Sequence, residues 1–167
     1  MKVIFYAVMT LNGKIAHSRK EEVRWNSPED RKFFFAEMRR HGVAIMGRAT
    51  YDAVKQFRPG WMRIVLTRRM PKTKKNFVEF TARPLKEVLK DLEKRGFHSV
   101  AVVGGASVYS QFLEKGLVDE MMITVEPKIF GRSIAIFENM RKDFSLQLLN
   151  IRKLSSQTFV LHYKVIK

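Results

Sequence analysis

The stretch Val100-Ala-Val-Val-Gly-Gly-Ala-Ser-Val-Tyr109 decides the fold. Ser99–Val103 is a short run of β-branched and small apolar residues, suited to a strand buried on both faces, and it stops at Gly104-Gly105. Ala106–Lys115 follows with Val108, Tyr109 and Phe112 at helical spacing. A buried strand that runs straight into a helix is half of a parallel crossover unit. Further out, Val43-Ala-Ile-Met-Gly-Arg-Ala-Thr-Tyr51 has the same form, and Ile64-Val-Leu-Thr-Arg-Arg69 ends a third strand, Ile64–Thr67, in Thr67, Arg68 and Arg69. More strand-like runs lie at Val3–Met9, Phe77–Phe80, Met121–Val125, Leu146–Leu154 and Thr158–Val165, and more helical patterns at Pro28–Arg40, Thr50–Gln56 and Pro84–Arg95. Strand and helix alternate to about residue 115, and the remaining strands follow with no interval long enough for a helical crossover. The sequence therefore predicts an α/β fold in three layers: a mixed, mostly parallel eight-stranded sheet, antiparallel C-terminal strands at its edge, and about four flanking helices. No repeat, low-complexity tract or Gly/Ser-rich linker interrupts the pattern, so residues 1–167 are expected to form a single domain.

Composition narrows the function classes. A hydrophobic content of 46% with 13 Phe supplies a core, and the absence of cysteine excludes a disulfide scaffold, a thiolate metal site and a cysteine nucleophile. The four histidines show no metal-ligand spacing and no Ser/His/Asp arrangement is legible, so no metal is expected. The apolar N-terminal run is broken by Asn12-Gly13, and no segment approaches the ~20 apolar residues that span a bilayer, so a soluble cytoplasmic protein is expected. The 32 Lys and Arg exceed the 16 Asp and Glu by 16. Half of that surplus lies in Ala53–Val78, where Lys55, Arg58, Arg63, Arg68, Arg69, Lys72, Lys74 and Lys75 meet no acidic residue. Such a stretch fits a solvated loop, a site for a cofactor phosphate, or a nucleic-acid surface. The lack of stacking aromatics within Arg68–Lys75 argues against nucleic acid. High charge, no cysteine and compact connections suit a thermophile and, with it, a homodimer.

Residues just after the strands are the ones to examine, because ligands of such sheets bind beyond the carboxyl ends of strands. Gly104-Gly105 would let a backbone approach a ligand and aim helix N-terminal amides at a phosphate, or would simply make a tight turn. Gly47, Arg48 and Thr50 occupy the equivalent junction, with Arg48 suited to phosphate and Thr50 to phosphate or to capping. With Thr67 and Arg68 at the third strand end, the joint pattern points to an extended phosphate-bearing ligand such as a dinucleotide. Ser27-Pro28-Glu29-Asp30 is a capping box with Pro at the first helical position. Alternatively, Asp30 shares an apolar face with Phe34 and Met38, where a desolvated carboxylate would hydrogen-bond an amidine-like edge. Desolvation would raise its pKa and the helix N-terminus would lower it. The polar segment His17–Arg24 is long enough to be a mobile loop beside that site.

In order and spacing these motifs resemble dihydrofolate reductase and its fold relative, the reductase domain of riboflavin biosynthesis, from Lys2 to about Phe137. The similarity is carried by Met9-Thr-Leu-Asn-Gly-Lys-Ile-Ala16, Trp25-x4-Asp30-x3-Phe34, Ile45-Met-Gly-Arg-Ala-Thr-Tyr51, Val103-Gly-Gly-Ala-Ser-Val-Tyr109 and Leu117-Val-Asp-Glu-Met-Met-Ile-Thr124. The resemblance implies reduction of 7,8-dihydrofolate to tetrahydrofolate by hydride transfer from NADPH. The riboflavin-type reductase, acting on a ribosylamino-pyrimidine 5′-phosphate, is the alternative, and a nucleic-acid binder on this fold comes third.

The resemblance also implies residue roles. Asp30 would bind the pterin or amino-pyrimidine edge and promote protonation of the ring nitrogen, Thr124 would hold the same edge, and Phe34 would pack on the ring. Ala7 and Ile15 would contact the nicotinamide, with Trp25 at the edge of the site. Gly47, Arg48, Ala49 and Thr50 would line the cofactor's phosphates together with Val103, Gly104, Gly105, Ser107 and Val108. Thr67 and Arg68 would face the adenosine 2′-phosphate. Two departures stand out. Folate reductases place an Arg for the glutamate tail directly after Pro-Gly, whereas Pro59-Gly60 is followed here by Trp61, with Phe35 nearby and Arg58 or Arg63 as substitutes. The riboflavin branch carries Asp-Asp-Pro after its second helix, whereas this chain has Val54-Lys-Gln-Phe-Arg-Pro59.

Overall fold

The computed structural model describes residues 1–54, 59–72 and 75–167. Lys55, Arg58, Lys74 and the end of the helix expected at Thr50–Gln56 lie outside them.

Alternating apolar residues make β1 (Lys2–Thr10) a strand that feeds both faces of a sheet, with Val3 and Phe5 on one side and Ile4 and Tyr6 on the other. After the short β2 (Lys14–Ala16), α1 (Pro28–His41) starts at the predicted box, with Ser27 as N-cap and Pro28 at the first helical position. It stops at Gly42, whose φ of 70° allows its N–H to reach the Met38 carbonyl. The chain continues through β3 (Val43–Gly47), α2 (Arg48–Ala53), β4 (Met62–Leu66), β5 (Val78–Thr81), α3 (Leu85–Lys94), β6 (Ser99–Val102), α4 (Ala106–Glu114) and β7 (Glu120–Glu126). It finishes with β8 (Ile134–Ala135), β9 (Leu146–Lys153) and β10 (Phe159–Val165).

The eight predicted strands form one sheet in the order β5-β4-β3-β6-β1-β7-β10-β9. The pairs from β5 to β7 are parallel, and β10 runs antiparallel to both β7 and β9, as expected of a C-terminal edge. The helix predicted at Thr50–Gln56 instead begins at Arg48 with Gly47 as its N-cap, because β3 turns into it without an intervening loop. Thr50 is therefore not a cap. The small β2–β8 sheet was not foreseen, since β8 is only two residues long.

One face of the sheet packs Val3, Phe5, Val43, Ile45 and Val100 against Leu92 of α3 and Phe112 of α4. The other packs Ile4, Tyr6 and Ala44 against Met38 of α1, with Met46 and Val65 against Tyr51 of α2. These are the three layers. Strand order reverses around β3, β6 and β1, so the carboxyl ends of those strands open a crevice on the α1 side. Among the described residues no helix is long and apolar enough to cross a membrane.

Candidate active site

The crevice is a cleft of about 430 Å³. One end is built of the two glycine junctions. The Gly47 N–H donates to the Gly104 carbonyl at 2.7 Å, which places the starts of α2 and α4 side by side. Neither helix carries a side-chain cap at its N-cap glycine, Gly47 or Gly105, so their first amides are left to other partners. A Cβ on Gly47 would meet Val108 Cγ2 at 3.0 Å, and one on Gly105 would meet Thr50 Oγ1 at 3.3 Å. Gly104 adopts a φ of 102°, with Tyr109 3.1 Å from where its Cβ would stand. A cradle that close to the backbone, with two helix N-termini in it, fits the phosphates of a dinucleotide. Arg48, Ala49, Ser107 and Val103 also line the cleft. Arg48 also holds Asp52 through Nε at 2.8 Å and lies 5.6 Å from the centre of the Phe80 ring. Part of its charge is thus matched within α2.

The other end is built around Asp30, which is only 4% exposed. The α1 cap fixes its backbone, the amide of Asn26 donates to its Oδ2 at 2.7 Å, and Thr124 of β7 hydrogen-bonds it as well. Burial raises the pKa of this carboxyl above the ordinary range. The hydrogen bonds from Thr124 and Asn26 and the Arg31 charge pull the other way, and the Glu126 charge adds to the rise. Desolvation therefore prevails over the hydrogen bonds and the Arg31 charge. Ala7 and Ile15 line the cleft beside Asp30, Phe34 and Thr124. Ser18, Arg19, Glu21 and Glu22, from the polar segment His17–Arg24, line it too.

Between the two ends runs an aromatic wall. Phe34 meets Phe35 edge to face at 5.6 Å, and Phe35 lies 5.8 Å from Trp61. Trp61 is 6% exposed, so the position where folate reductases carry an Arg is filled by a packed indole. The cation comes two residues later, on the same face of β4. Arg63 is 4% exposed, its guanidinium lies over the Trp61 ring at 4.6 Å, and its Nη1 donates to the Trp61 carbonyl. Burial lowers its pKa. The basic stretch is therefore not all solvated surface, since Arg63 forms part of the cleft.

Three expected residues stand apart from the cleft wall. Trp25 turns its indole toward Phe130 at 5.0 Å and buries Nε1 without a hydrogen-bond partner. Thr67 and Arg68 lie beyond Leu66, the last residue of β4 to line the cleft, because the strand ends there. Thr67 Oγ1 accepts the Arg69 amide at 3.1 Å in a local turn. Conversely, Asn26 and Glu126 went unnoticed. Asn26 was legible only as a neighbour of the capping box, and Glu126 carries no motif at all.

A cleft that pairs a dinucleotide cradle with a buried carboxylate suits several reductases, and comparison of sequences separates them: residues 1–160 match the RibD C-terminal domain. The chain belongs to that family. Its fold is similar to that of a putative riboflavin biosynthesis protein from Shewanella sp. PV-4, with a TM-score of 0.81 and 24% identity over 100% of both chains. Acinetobacter baumannii RibD is similar with a TM-score of 0.83 and 22% identity, over 99% of this RibD C-terminal domain and 58% of that chain. Dihydrofolate reductase type 9 of Escherichia coli is 26% identical over 63% of the domain and 60% of its own length. The motif wording places the folate branch first, whereas the family match falls on the riboflavin branch.

Proposed function

We propose that the chain is an NADPH-dependent reductase that delivers hydride to a ribosylamino-pyrimidine 5′-phosphate. What carries this is the continuity of the cleft: the glycine cradle, Asp30 and Arg63 line one cavity. Bound at the cradle, NADPH supplies the hydride. The amides at the starts of α2 and α4 hold its phosphates, and Ala7 and Ile15 bound its reactive end. Asp30 accepts hydrogen bonds from the amidine-like edge of the pyrimidine, and the rise in its pKa caused by burial favours a proton held within the cleft. Phe34 and Phe35 exclude water from the ring, and Arg63 pairs with the phosphate. With the sugar ring of the ribosylamino group opened to its imine, hydride goes to the imine carbon and the proton to its nitrogen.

The support for this substrate over folate is Trp61. A packed indole fills the position of the glutamate-tail Arg, while Arg63 beside it suits a compact anion. Dihydrofolate is the second reading, favoured by the Trp25-x4-Asp30 spacing and by the contact of Asp30 with Thr124. The test follows NADPH oxidation with each substrate in parallel. Consumption with the pyrimidine phosphate alone is expected, consumption with dihydrofolate alone reverses the order, and oxidation with neither refutes both.

A further inference from the structure

In a capping box the N-cap side chain accepts the amide of the third helical residue, and that residue's carboxylate returns to accept the N-cap amide. Ser27 is the N-cap of α1 and Asp30 the third helical residue. Half of the box is formed, since Ser27 Oγ accepts the Asp30 N–H at 3.2 Å. The other half is not. The Ser27 N–H donates instead to Glu126 Oε1 at 2.7 Å, and Asp30 Oδ2 accepts from Asn26. Glu126 closes β7 two residues after Thr124 and is 2% exposed. Its Oε2 accepts the Thr158 hydroxyl at 3.0 Å. Both of its oxygens accept hydrogen bonds.

We propose that Glu126 is a positioning residue: by taking the Ser27 amide in place of Asp30 it frees the Asp30 carboxyl for the cleft. The inference rests on the reading of Asp30 as the proton-holding group. The charged and titratable groups that face Asp30 are Arg31 on α1 itself, Glu126 from β7 and Tyr109 from α4, with Asn26 and Thr124 as hydrogen-bond partners. Arg31 is turned in part to the Asn26 carbonyl, to which its Nη1 donates. Among these groups Glu126 is the acid that opposes ionisation of Asp30. Its removal has two separable consequences. Without its charge Asp30 ionises more readily, and without its oxygen the Asp30 carboxylate falls back onto the Ser27 amide and completes the box.

Titration of isotope-labelled aspartate carboxyls by NMR, in the ligand-free protein, with Asp30 assigned through Asp30→Asn, tests this. In Glu126→Gln the amide oxygen still accepts from Ser27, so Asp30 stays in the cleft and its midpoint falls by about one pH unit. In Glu126→Ala the carboxylate gains a helix N-terminal amide and its midpoint falls by about two units. In turnover assays the Gln variant moves the pH profile to lower pH with KM held, the Ala variant also raises KM, and this rescue by the conservative variant marks positioning rather than simple support of the fold. An Asp30 midpoint unchanged in both variants overturns the proposal, as does a loss of stability with no shift. If Glu126→Ala does not fold, Glu126→Gln alone decides. Because the titration needs no substrate, its result stands even where the substrate assignment fails.

Discussion

Replacing Asp30 by Asn keeps the shape of the side chain and an oxygen for the Asn26 amide, and removes a charge that burial disfavours. Two effects of opposite sign follow. A positioned proton-transfer group is worth about 10²–10⁴ in rate. At about 1.36 kcal/mol for each factor of ten, the variant's barrier rises by about 3–5.5 kcal/mol. The loss falls on kcat and KM together, because with its one oxygen on Asn26 the new amide turns an NH2 donor toward the donors of the substrate edge. Stability moves the other way. The folded-state pKa of Asp30 is raised above the unfolded value of 3.8, so its contribution to stability is complete below that value and is lost as pH rises through the folded one. Asn never ionises, so the variant is the more stable of the two above the folded-state pKa, and the gain vanishes below the unfolded value. Such a gain raises Tm by about 2–4 °C per kcal/mol at this chain length. NADPH oxidation under single-turnover conditions reads the first effect, and thermal melts at neutral pH and below the carboxylate range read the second. A kcat within about threefold of the parent removes Asp30 from proton delivery. A variant less stable at neutral pH shows that burial is not what perturbs the carboxyl.

Gly47→Ala puts a Cβ 3.0 Å from Val108 Cγ2, and overpacking of about 1–3 kcal/mol there is expected to weaken NADPH about tenfold or more in a fluorescence titration; an unchanged Kd refutes the cradle. The resemblance gives the 2′-phosphate to Arg68, which lies just beyond the cleft wall at the end of β4: the parent is expected to prefer NADPH over NADH, and Arg68→Ala to remove about 10–100-fold of that ratio, the worth of a charge-assisted hydrogen bond; equal use of both cofactors by the parent refutes the assignment. Phe112, 0% exposed on the α4 side of the sheet, is expected to cost about 3–5 kcal/mol as Phe112→Ala in denaturant unfolding while leaving NADPH affinity unchanged; a loss under about 1 kcal/mol refutes its place in the core.

The fold was legible because its signals are local. Val43–Gly47 and Ser99–Val102 are buried runs bounded by glycines, and the eight strands fell within a few residues of their observed limits. α2 starts two residues before the sequence predicts because Gly47 both ends the strand and caps the helix, whereas Thr50 is the stronger capping residue by chemistry alone. Most of the cradle was legible for the same reason as the strands, since a glycine at a strand end has few other uses. Arg63 and Glu126 are different. A basic residue in a basic stretch and a glutamate at the end of a strand look solvated, and only tertiary packing under Trp61 or against Ser27 and Thr158 buries them. No local pattern encodes which of several like residues is buried.

The register of the sheet explains how the Asp30 carboxyl is kept apart from the first amides of α1. Val8 lies opposite Thr124 and Thr10 opposite Glu126, so both β7 side chains are set by a paired ladder at the centre of the sheet. Two residues apart on a strand, they point to the same face, and that face meets the start of α1. Thr124 hydrogen-bonds the Asp30 carboxyl, while Glu126 holds the amide that this carboxyl would otherwise cap. One strand thus fixes both where Asp30 points and what it cannot bind. A functional carboxylate at a helix N-terminus must be kept from its easiest partner, and in this fold a second carboxylate, fixed by a strand rather than by the helix, does so.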